Sequence, residues 1–163
     1  MMNLKNTSPY AEISKEQLAY GAGMKSKAFG VKIDSPDDNG MNKWKEVGIV
    51  SSDYLLVPNR TMMQMANDVM AGSTLEFEEE KEFFNGKQFF KSWKCIDEID
   101  AEVVEGDNLG IGVGMWNSYD GSIAARMSLF AYRLACTNGM TSKHEFGEYV
   151  FKHDINNKDW KNE

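Results

Sequence analysis

Residues 82–90 read EFFNGKQFF, and this stretch predicts the centre of the fold. An Asn-Gly pair between two runs of β-forming residues is the strongest local signal for a β-hairpin, because a type I′ turn needs positive φ at both central positions. We therefore predict two antiparallel strands, Leu75–Phe84 and Lys87–Ile99, joined by a tight turn at Asn85 and Gly86. A second turn, NSYDGS at residues 117–122, predicts that the sheet continues beyond the hairpin.

Two more strands are expected after the hairpin. Asn108–Asn117 follows an acidic connector at Asp100–Asp107, and Ser122–Cys136 follows the second turn. The alanines of Ser122–Cys136 would also suit a helix, but its residues alternate with a period of two, which favours a strand. Leu75–Cys136 is thus predicted to form a four-stranded antiparallel β-meander.

Alternate glycines mark one face of the third strand, at Gly110, Gly112 and Gly114. Because glycine has no side chain, another part of the protein can approach that face closely. We expect a helix to pack there. The G-x-G-x-G spacing does not fit the dinucleotide-binding fingerprint, since no helix follows it.

The chain before the meander contains a mixture of helices and strands. Residues 14–17 (SKEQ) have capping-box spacing and predict a short helix over Lys15–Tyr20. Ala28–Ile33 and Trp44–Val57 are predicted strands, and Arg60–Ala71 is a predicted helix. After the meander, Glu148–Lys152 is a candidate strand.

The Arg60–Ala71 helix is expected to begin at an Asn59 cap and to lie against the sheet. Its apolar residues at helical spacing are Met62, Met63, Ala66, Val69 and Met70. The predicted fold class is α+β: a four-stranded antiparallel meander with one helix packed on it, preceded by two strands and a short N-terminal helix. Residues 1–163 form one domain on this interpretation, with a frayed terminus at 1–10 and a tail or truncated helix at 155–163.

Composition restricts the class of protein. The chain has 163 residues, enough for one domain, and a formal net charge of -7, which disfavours general affinity for nucleic acid. No apolar run approaches the roughly 18 residues of a membrane helix, and residues 1–8 do not resemble a signal peptide. Cys95 and Cys136 are therefore interpreted as buried free thiols of a cytosolic protein.

Sequence motifs for catalysis are missing. His144 and His153 have no partner at metal-ligand spacing, and no nucleophile elbow or phosphate-binding loop is present. The acidic loop at residues 34–40 lacks the ligand spacing of a calcium-binding EF-hand. We therefore expect no cofactor, no metal site and no enzymatic activity.

One basic and aromatic stretch, residues 87–94 (KQFFKSWK), suggests a binding site. Lysines can contact a phosphate backbone while aromatic rings stack bases, as in single-strand binding proteins. The residues of this hypothetical site are Lys87, Phe89, Lys91, Trp93 and Lys94, with Arg126 and Arg133 as helpers from the fourth strand. The alternative is a half-buried strand whose lysines pair with the glutamates of Leu75–Phe84, and the acidity of that strand favours this alternative.

Three motifs give the chain a family resemblance: V-x-x-x-Y-x-x-V-P-N at residues 50–59, NSYDGS at 117–122 and RLACTNGM at 133–140. Together they resemble the phage- and plasmid-borne family called domain of unknown function 932, over about Ala28–His153. Tyr119 stands where that family usually has a histidine, and the chain departs from the family pattern at this position. The family has no settled activity, and the resemblance implies a phage or mobile element as context.

The element order is also similar to that of single-strand annealing proteins of the eukaryotic recombination-mediator type, which phages encode too. This is an analogy of fold. The net negative charge of this chain differs from the basic character of those proteins. We expect a non-enzymatic, homo-oligomeric single-stranded DNA binding or annealing protein in the cytoplasm of the host of a phage or mobile element. The alternative is a protein-interaction or virion-associated module whose acidic surface meets phage or host proteins.

Overall fold

The computed structural model of the protein describes residue 4 and residues 6–20, 24–96, 109–134 and 141–154. In this part of the chain, one helix and eight strands form an α+β fold with two antiparallel sheets, ordered β1-β2-β3 and β4-β5-β6-β7-β8. In chain order the elements are β1 (Ile13–Tyr20), β2 (Met24–Pro36), β3 (Asn42–Ser51), α1 (Asn59–Ala71), β4 (Phe77–Phe84), β5 (Gln88–Cys95), β6 (Leu109–Ser118), β7 (Ala125–Leu134) and β8 (Thr141–Phe151). The predicted connector Asp100–Asp107, Cys136 and the predicted tail 155–163 lie outside the described residues.

The predicted N-terminal helix over Lys15–Tyr20 is wrong. This segment belongs to β1, which pairs antiparallel with β2. Six residues are too few for a helix that is stable on its own, whereas the strand gains ladder hydrogen bonds with β2, interrupted once between Gln17 and Ala19. Lys15 adds two more, because its Nζ donates to the carbonyl oxygens of Ser52 at 2.8 Å and Tyr54 at 2.6 Å. The first sheet therefore has three strands, and its third strand ends at Ser51 rather than at Val57.

The meander is confirmed, and it is one strand longer than predicted. Ala125–Leu134 is a strand, as the alternation indicated, and the candidate strand Glu148–Lys152 is the end of an eleven-residue β8. Residues 141–146 (TSKHEF) show no clear apolar alternation, which is why this part of β8 escapes a search for hydrophobic periodicity. Five strands rather than four make up the second sheet in the described chain.

The hairpin turn lies one residue later than predicted. The N–H of Asn85 donates to the carbonyl oxygen of Gln88 at 3.3 Å, so Gly86 and Lys87 are the central residues. Gly86 has the positive φ of 90° that the first central position of such a turn requires. The Oδ1 of Asn85 accepts from the N–H groups of Lys87 at 2.9 Å and Gln88 at 2.8 Å, a local bond that favours asparagine in turns.

The helix α1 covers one face of the second sheet, called here the helix face. Met62 and Ala66 are fully buried against Phe89 and Trp93 of β5 and against β6. Val69, which the spacing assigned to the same side, is 58% exposed. The predicted Asn59 cap is also wrong: Pro58 occupies the N-cap, and the Asn59 side chain makes no capping hydrogen bond.

The glycines of β6 lie on the opposite face, so the predicted packing of a helix onto them is wrong. A Cβ at Gly112 would lie 2.6 Å from the ring of Phe130, and one at Gly114 would lie 2.6 Å from the ring of Trp116. Aromatic rings of the same sheet therefore fill the space above Gly112 and Gly114. The helix α1 packs instead on the face of β6 that carries its apolar residues. Burial of apolar surface on both partners is the dominant favourable contribution to the free energy of folding.

A second core joins the two sheets. Its buried residues come from β2, β3, the segment after β3 and the turn after β6: Val31, Ile33, Val47, Val50, Tyr54 and Tyr119. Gly48 of β3 lies close to Asp120 in that turn, so that a Cβ added at Gly48 would be 2.8 Å from the Cα of Asp120. Because Gly48 has no side chain, β3 can pack directly against the turn. The two sheets thus meet at the end of the meander that carries the hairpin turn.

Candidate nucleic-acid interface

The aromatic residues of the hypothetical site lie in the core. Phe89 is 1% exposed and Trp93 is 3% exposed, both beneath α1. Tyr10 packs edge-on against Phe89, with 5.9 Å between the ring centroids. Neither ring has a free face on which a base could stack in this conformation.

Lys91 is also buried, at 4% exposure, and it forms an internal ion-pair cluster. Its Nζ lies 2.7 Å from Oε1 of Glu79 and 2.9 Å from Oε2 of Glu82, and it donates to the hydroxyl of Tyr10 at 3.4 Å. Burial alone would lower the pKa of Lys91, but the hydrogen bonds to Glu79 and Glu82 outweigh it and raise the pKa. Burial and the hydrogen bond to Glu82 raise the pKa of Tyr10 to about 12. Lys91 is thus committed to the pairing that the alternative interpretation described.

The remaining residues of the hypothetical site are scattered. Lys87 is exposed in the hairpin turn, and Lys94 pairs with Glu78, with 2.7 Å between Nζ and Oε1. Arg126 lies on the face opposite Lys91. Arg133 pairs through its backbone with Leu109, and its side chain lies outside the described residues. The structure therefore does not bring the predicted basic and aromatic residues together on one surface.

The face opposite α1, called here the aromatic face, carries a row of residues that are directly opposite one another on successive strands. Sheet register pairs Phe83 with Phe90, Phe90 with Trp116, Trp116 with Arg126, and Arg126 with Val150. We call these five residues the aromatic row. Phe83 is 54% exposed, and Phe90, Trp116 and Arg126 are half-buried. The row runs across all five strands, at about 4.8 Å per strand.

The rings of the aromatic row are held in place by their neighbours. The centroids of Phe90 and Trp116 are 5.1 Å apart with the rings tilted by 43°, and Cζ of Arg126 lies 4.3 Å above the centroid of Trp116. Beside them, Gly114 leaves the space that the Trp116 ring occupies. The alternating glycines found in the sequence therefore identify this face of the sheet. The aromatic rings that pack over them could not be identified from the sequence.

Cations flank the aromatic row, and each lies near an acid. Lys81 is 3.9 Å from Glu80, and Nη1 of Arg126 donates to Oε1 of Glu148 at 2.9 Å, while Lys94 has Glu78. Nε of Arg126 and Oγ of Ser128 are buried on this face without a hydrogen-bond partner among the described residues. The aromatic face therefore carries aromatic rings together with cationic side chains that are paired with carboxylates. Its surface is not strongly positive.

Two of the sequence motifs meet in a buried polar junction. Nδ2 of Asn117 donates to the carbonyl oxygen of Val57 at 2.9 Å and to Oδ1 of Asn59 at 2.8 Å. The N–H of Asn59 donates to the hydroxyl of Tyr119 at 3.1 Å, and Nδ2 of Asn59 donates to the carbonyl oxygen of Pro9 at 2.7 Å. Burial raises the pKa of Tyr119 to about 12. These groups bind one another and fasten α1 to the end of β6, which is a structural role.

Two general findings complete the description. In residues 4, 6–20, 24–96, 109–134 and 141–154, no three His, Cys, Asp or Glu side chains cluster as ligands for a metal ion. Within the same part of the chain, no helix is both long and apolar enough to cross a membrane.

Comparison with models of known protein families gives a match. The family model described as Domain of unknown function (DUF932) matches residues 46–162, well over half of the chain, and covers the second half of β3, α1 and the strands β4 to β8. No curated protein and no solved structure matches the chain.

Proposed function

The chain belongs to the family described as Domain of unknown function (DUF932), and we propose that it is a non-enzymatic protein that binds single-stranded DNA across the aromatic row. The observation that carries the proposal is the register of Phe83, Phe90, Trp116 and Arg126 on four successive strands. A flat sheet with aligned rings suits unpaired bases, since each stacked base contributes about 1–3 kcal/mol.

Stacking is the larger contribution on this surface. Phe83 presents the most exposed ring, and Arg126, which lies over Trp116, offers the outer side of its planar guanidinium to a further base. Stacking does not depend on base identity, because every base has a π-face. The protein is therefore expected to bind single strands with little sequence preference.

Phosphate contacts make a smaller contribution. Among the described side chains, Lys81, Lys94 and Arg126 are the cations within reach of a strand on this face, and each would have to exchange a neighbouring carboxylate for a phosphate. Three contacts correspond to a log–log salt slope of about -2, at roughly 0.7 per phosphate on single strands. The acidic remainder of the protein would confine DNA to the aromatic face.

The test is fluorescence anisotropy with a labelled oligothymidine at low salt. Phe83→Ala should weaken binding roughly 5- to 150-fold, the loss of one stacked base. Trp44→Ala is the matched control, since Trp44 is 51% exposed on the other sheet and should not affect binding. Equal affinities for the two variants, or no wild-type binding on the order of tens of micromolar, would contradict the proposal.

The wider role follows from the same proposal. We place the protein in the cytoplasm of the host of a phage or mobile element, where it would bind or anneal single strands during recombination. The second candidate is a protein-interaction or virion-associated module, and the acidic β4 favours it. That edge strand has four exposed glutamates, Glu78, Glu79, Glu80 and Glu82, which would fit a basic protein partner. Failure of wild-type DNA binding would make this second candidate the leading one.

A further inference from the structure

One cation of the aromatic face is held in a fixed position. The guanidinium of Arg126 lies over the ring of Trp116, with Cζ 4.3 Å from the ring centroid, and its Nη1 donates to Oε1 of Glu148 at 2.9 Å. The Arg126 side chain is 35% exposed, whereas its Nε is buried. A ligand that comes from solvent can therefore reach this guanidinium only at its Nη end.

The carboxylate of Glu148 occupies that end of the guanidinium. It accepts from Nη1 through one oxygen, whereas the two free oxygens of a phosphodiester could accept from Nη1 and Nη2 at once. The Glu148 side chain is 35% exposed, and Arg126 is its one side-chain partner among the described residues. The carboxylate can therefore turn to solvent without leaving a buried group unpaired.

The other two carboxylates that pair with cations on this face are less suited to such an exchange. Oε2 of Glu80 lies 3.0 Å from the hydroxyl of Ser92, which is fully buried, so the departure of Glu80 would take a partner from a buried hydroxyl. Lys94 has a further interaction besides its pair with Glu78, so the loss of Glu78 alone would not release it. Glu148 is thus the carboxylate that a ligand can replace most easily.

We propose that Glu148 is a built-in competitor of nucleic-acid phosphate at Arg126, an inference that rests on the proposed function. In the free protein the carboxylate neutralises the guanidinium, and a phosphodiester group of a bound strand takes its place. The ring of Trp116 keeps the guanidinium in position during this exchange, because the stacking does not involve Glu148. Glu148 therefore lowers the affinity for single strands and disfavours small anions, which gain no stacking energy when they displace it.

The exposure of the ion pair sets the size of the effect. Exposed pairs contribute at most about a fivefold factor, so Glu148→Gln should tighten the binding of oligothymidine about two- to fivefold. The salt dependence should change as well. In the wild type the released carboxylate attracts a cation and offsets part of the counterion release from the strand, so Glu148→Gln should steepen the log–log slope by up to about 0.7. A purely structural role of Glu148 would not steepen it.

The primary experiment measures anisotropy with labelled oligothymidine over a range of salt concentrations. Asp38→Asn is the matched control, since Asp38 is exposed in the turn between β2 and β3 and its replacement removes the same charge far from the aromatic face. Arg126→Gln and the double variant Arg126→Gln/Glu148→Gln complete a cycle. Once Arg126 is replaced, Glu148→Gln should have no effect beyond that of Asp38→Asn. Equal affinities of Glu148→Gln and Asp38→Asn, or tightening that persists without Arg126, would overturn the inference.

A titration with inorganic phosphate tests the same exchange without DNA. The NMR signal of the Arg126 Nε–H group should shift at about a twofold lower phosphate concentration in Glu148→Gln than in the wild type or Asp38→Asn. Sodium chloride at equal ionic strength is the reference.

The oligothymidine result decides wherever the wild type binds DNA, and a failure of the competition there refutes this inference alone. If the wild type does not bind oligothymidine, the proposed function is refuted and the phosphate titration decides. The expected order of phosphate concentrations would then support the competition at Arg126, and equal concentrations would overturn it too.

Discussion

Nζ of Lys91 lies 2.9 Å from Oε2 of Glu82 on the neighbouring strand, and both belong to the half of the sheet that Tyr10 and α1 cover. A strand with alternating lysines and aromatic rings can thus be an interior strand whose cation is neutralised by the next strand. The pairing also ties the N-terminal segment to the meander, because Tyr10 donates to the same carboxylate at 2.7 Å.

Lys91→Met should lower stability while leaving the binding of oligothymidine unchanged. The substitution removes charged hydrogen bonds, each worth about 1.5–3 kcal/mol, but leaves Glu79 and Glu82 in contact with solvent. We expect a loss of about 2 kcal/mol, or roughly 4–8 °C in melting temperature. Denaturation followed by circular dichroism checks the stability, and anisotropy checks the binding. A folded Lys91→Met protein with greatly reduced affinity would return Lys91 to the binding site.

Met62→Asp should be among the most damaging substitutions in α1. Met62 is fully buried between the helix and the sheet, so an unpaired carboxylate there would cost about 4 kcal/mol or more. Val69→Asp is the matched control, because Val69 is largely exposed on the same helix and the same change should cost about 0.5 kcal/mol or less. Urea denaturation of the two variants measures the difference. Similar midpoints would show that α1 does not pack as described.

Tyr119→Phe should destabilise the junction between the two sheets. The hydroxyl of Tyr119 is the acceptor for the N–H of Asn59, and its removal leaves that buried donor without a partner, at a cost of about 1–3 kcal/mol. Tyr149→Phe, at an exposed tyrosine, should change the free energy of unfolding by about 0.5 kcal/mol or less. Equal unfolding free energies for the two variants would mean that the Tyr119 hydroxyl has no structural role.

Stability should fall in mildly acidic solution because of His153. Its Nδ1 lies 2.8 Å from the carbonyl oxygen of Leu55, and its ring stacks on Tyr54 with 4.6 Å between centroids. Burial lowers the pKa of His153, and the bond to Leu55 only partly offsets this. The fold therefore favours the neutral ring: its contribution is complete above the unfolded pKa of about 6.5 and is lost as the pH falls below that value.

The measurement for His153 is the melting temperature between about pH 7.5 and pH 5.5, which spans the ordinary histidine pKa. His153→Gln keeps a neutral donor and should show a smaller loss over this range than the wild type, whatever its stability at pH 7.5. Carboxylates titrate in both proteins, so the difference between the two curves isolates the histidine. Parallel curves would show that His153 titrates normally in the folded protein.

The sequence predicted the local features well and the long-range ones poorly. Asn85 and Gly86 marked the hairpin, and period-two alternation identified β7 as a strand, because both signals depend on neighbouring residues. The face that α1 covers could not be predicted, since β5 has aromatic residues on both sides, with Phe89 on one and Phe90 on the other. The face that α1 covers is determined by β6, which has glycines on the same side as Phe90 and apolar residues on the other side. The helix packs on the apolar side.

The aromatic row was out of reach for the same reason. Positions 83, 90, 116 and 126 are separated in sequence, and they align only once the register of four strands is known. That register depends on the turn, and the central residues are Gly86 and Lys87 rather than Asn85 and Gly86. A shift of one residue moves each side chain to the other face of the sheet, so small errors at turns remove all information about such a row.

Gly114→Ala tests whether the aromatic row needs the glycines beneath it. An added Cβ would lie 2.6 Å from the ring of Trp116 and 3.3 Å from the ring of Phe130, so Trp116 would have to move away from Phe90. We expect a loss of stability of about 1–3 kcal/mol from overpacking, together with weaker binding of oligothymidine. Gly147→Ala is the control for stability, because nothing lies within 4 Å of its added Cβ and alanine suits an ordinary strand position better than glycine. If Gly114→Ala kept both stability and affinity, the ring of Trp116 would not be held by this contact, and a base would have to stack elsewhere on the sheet.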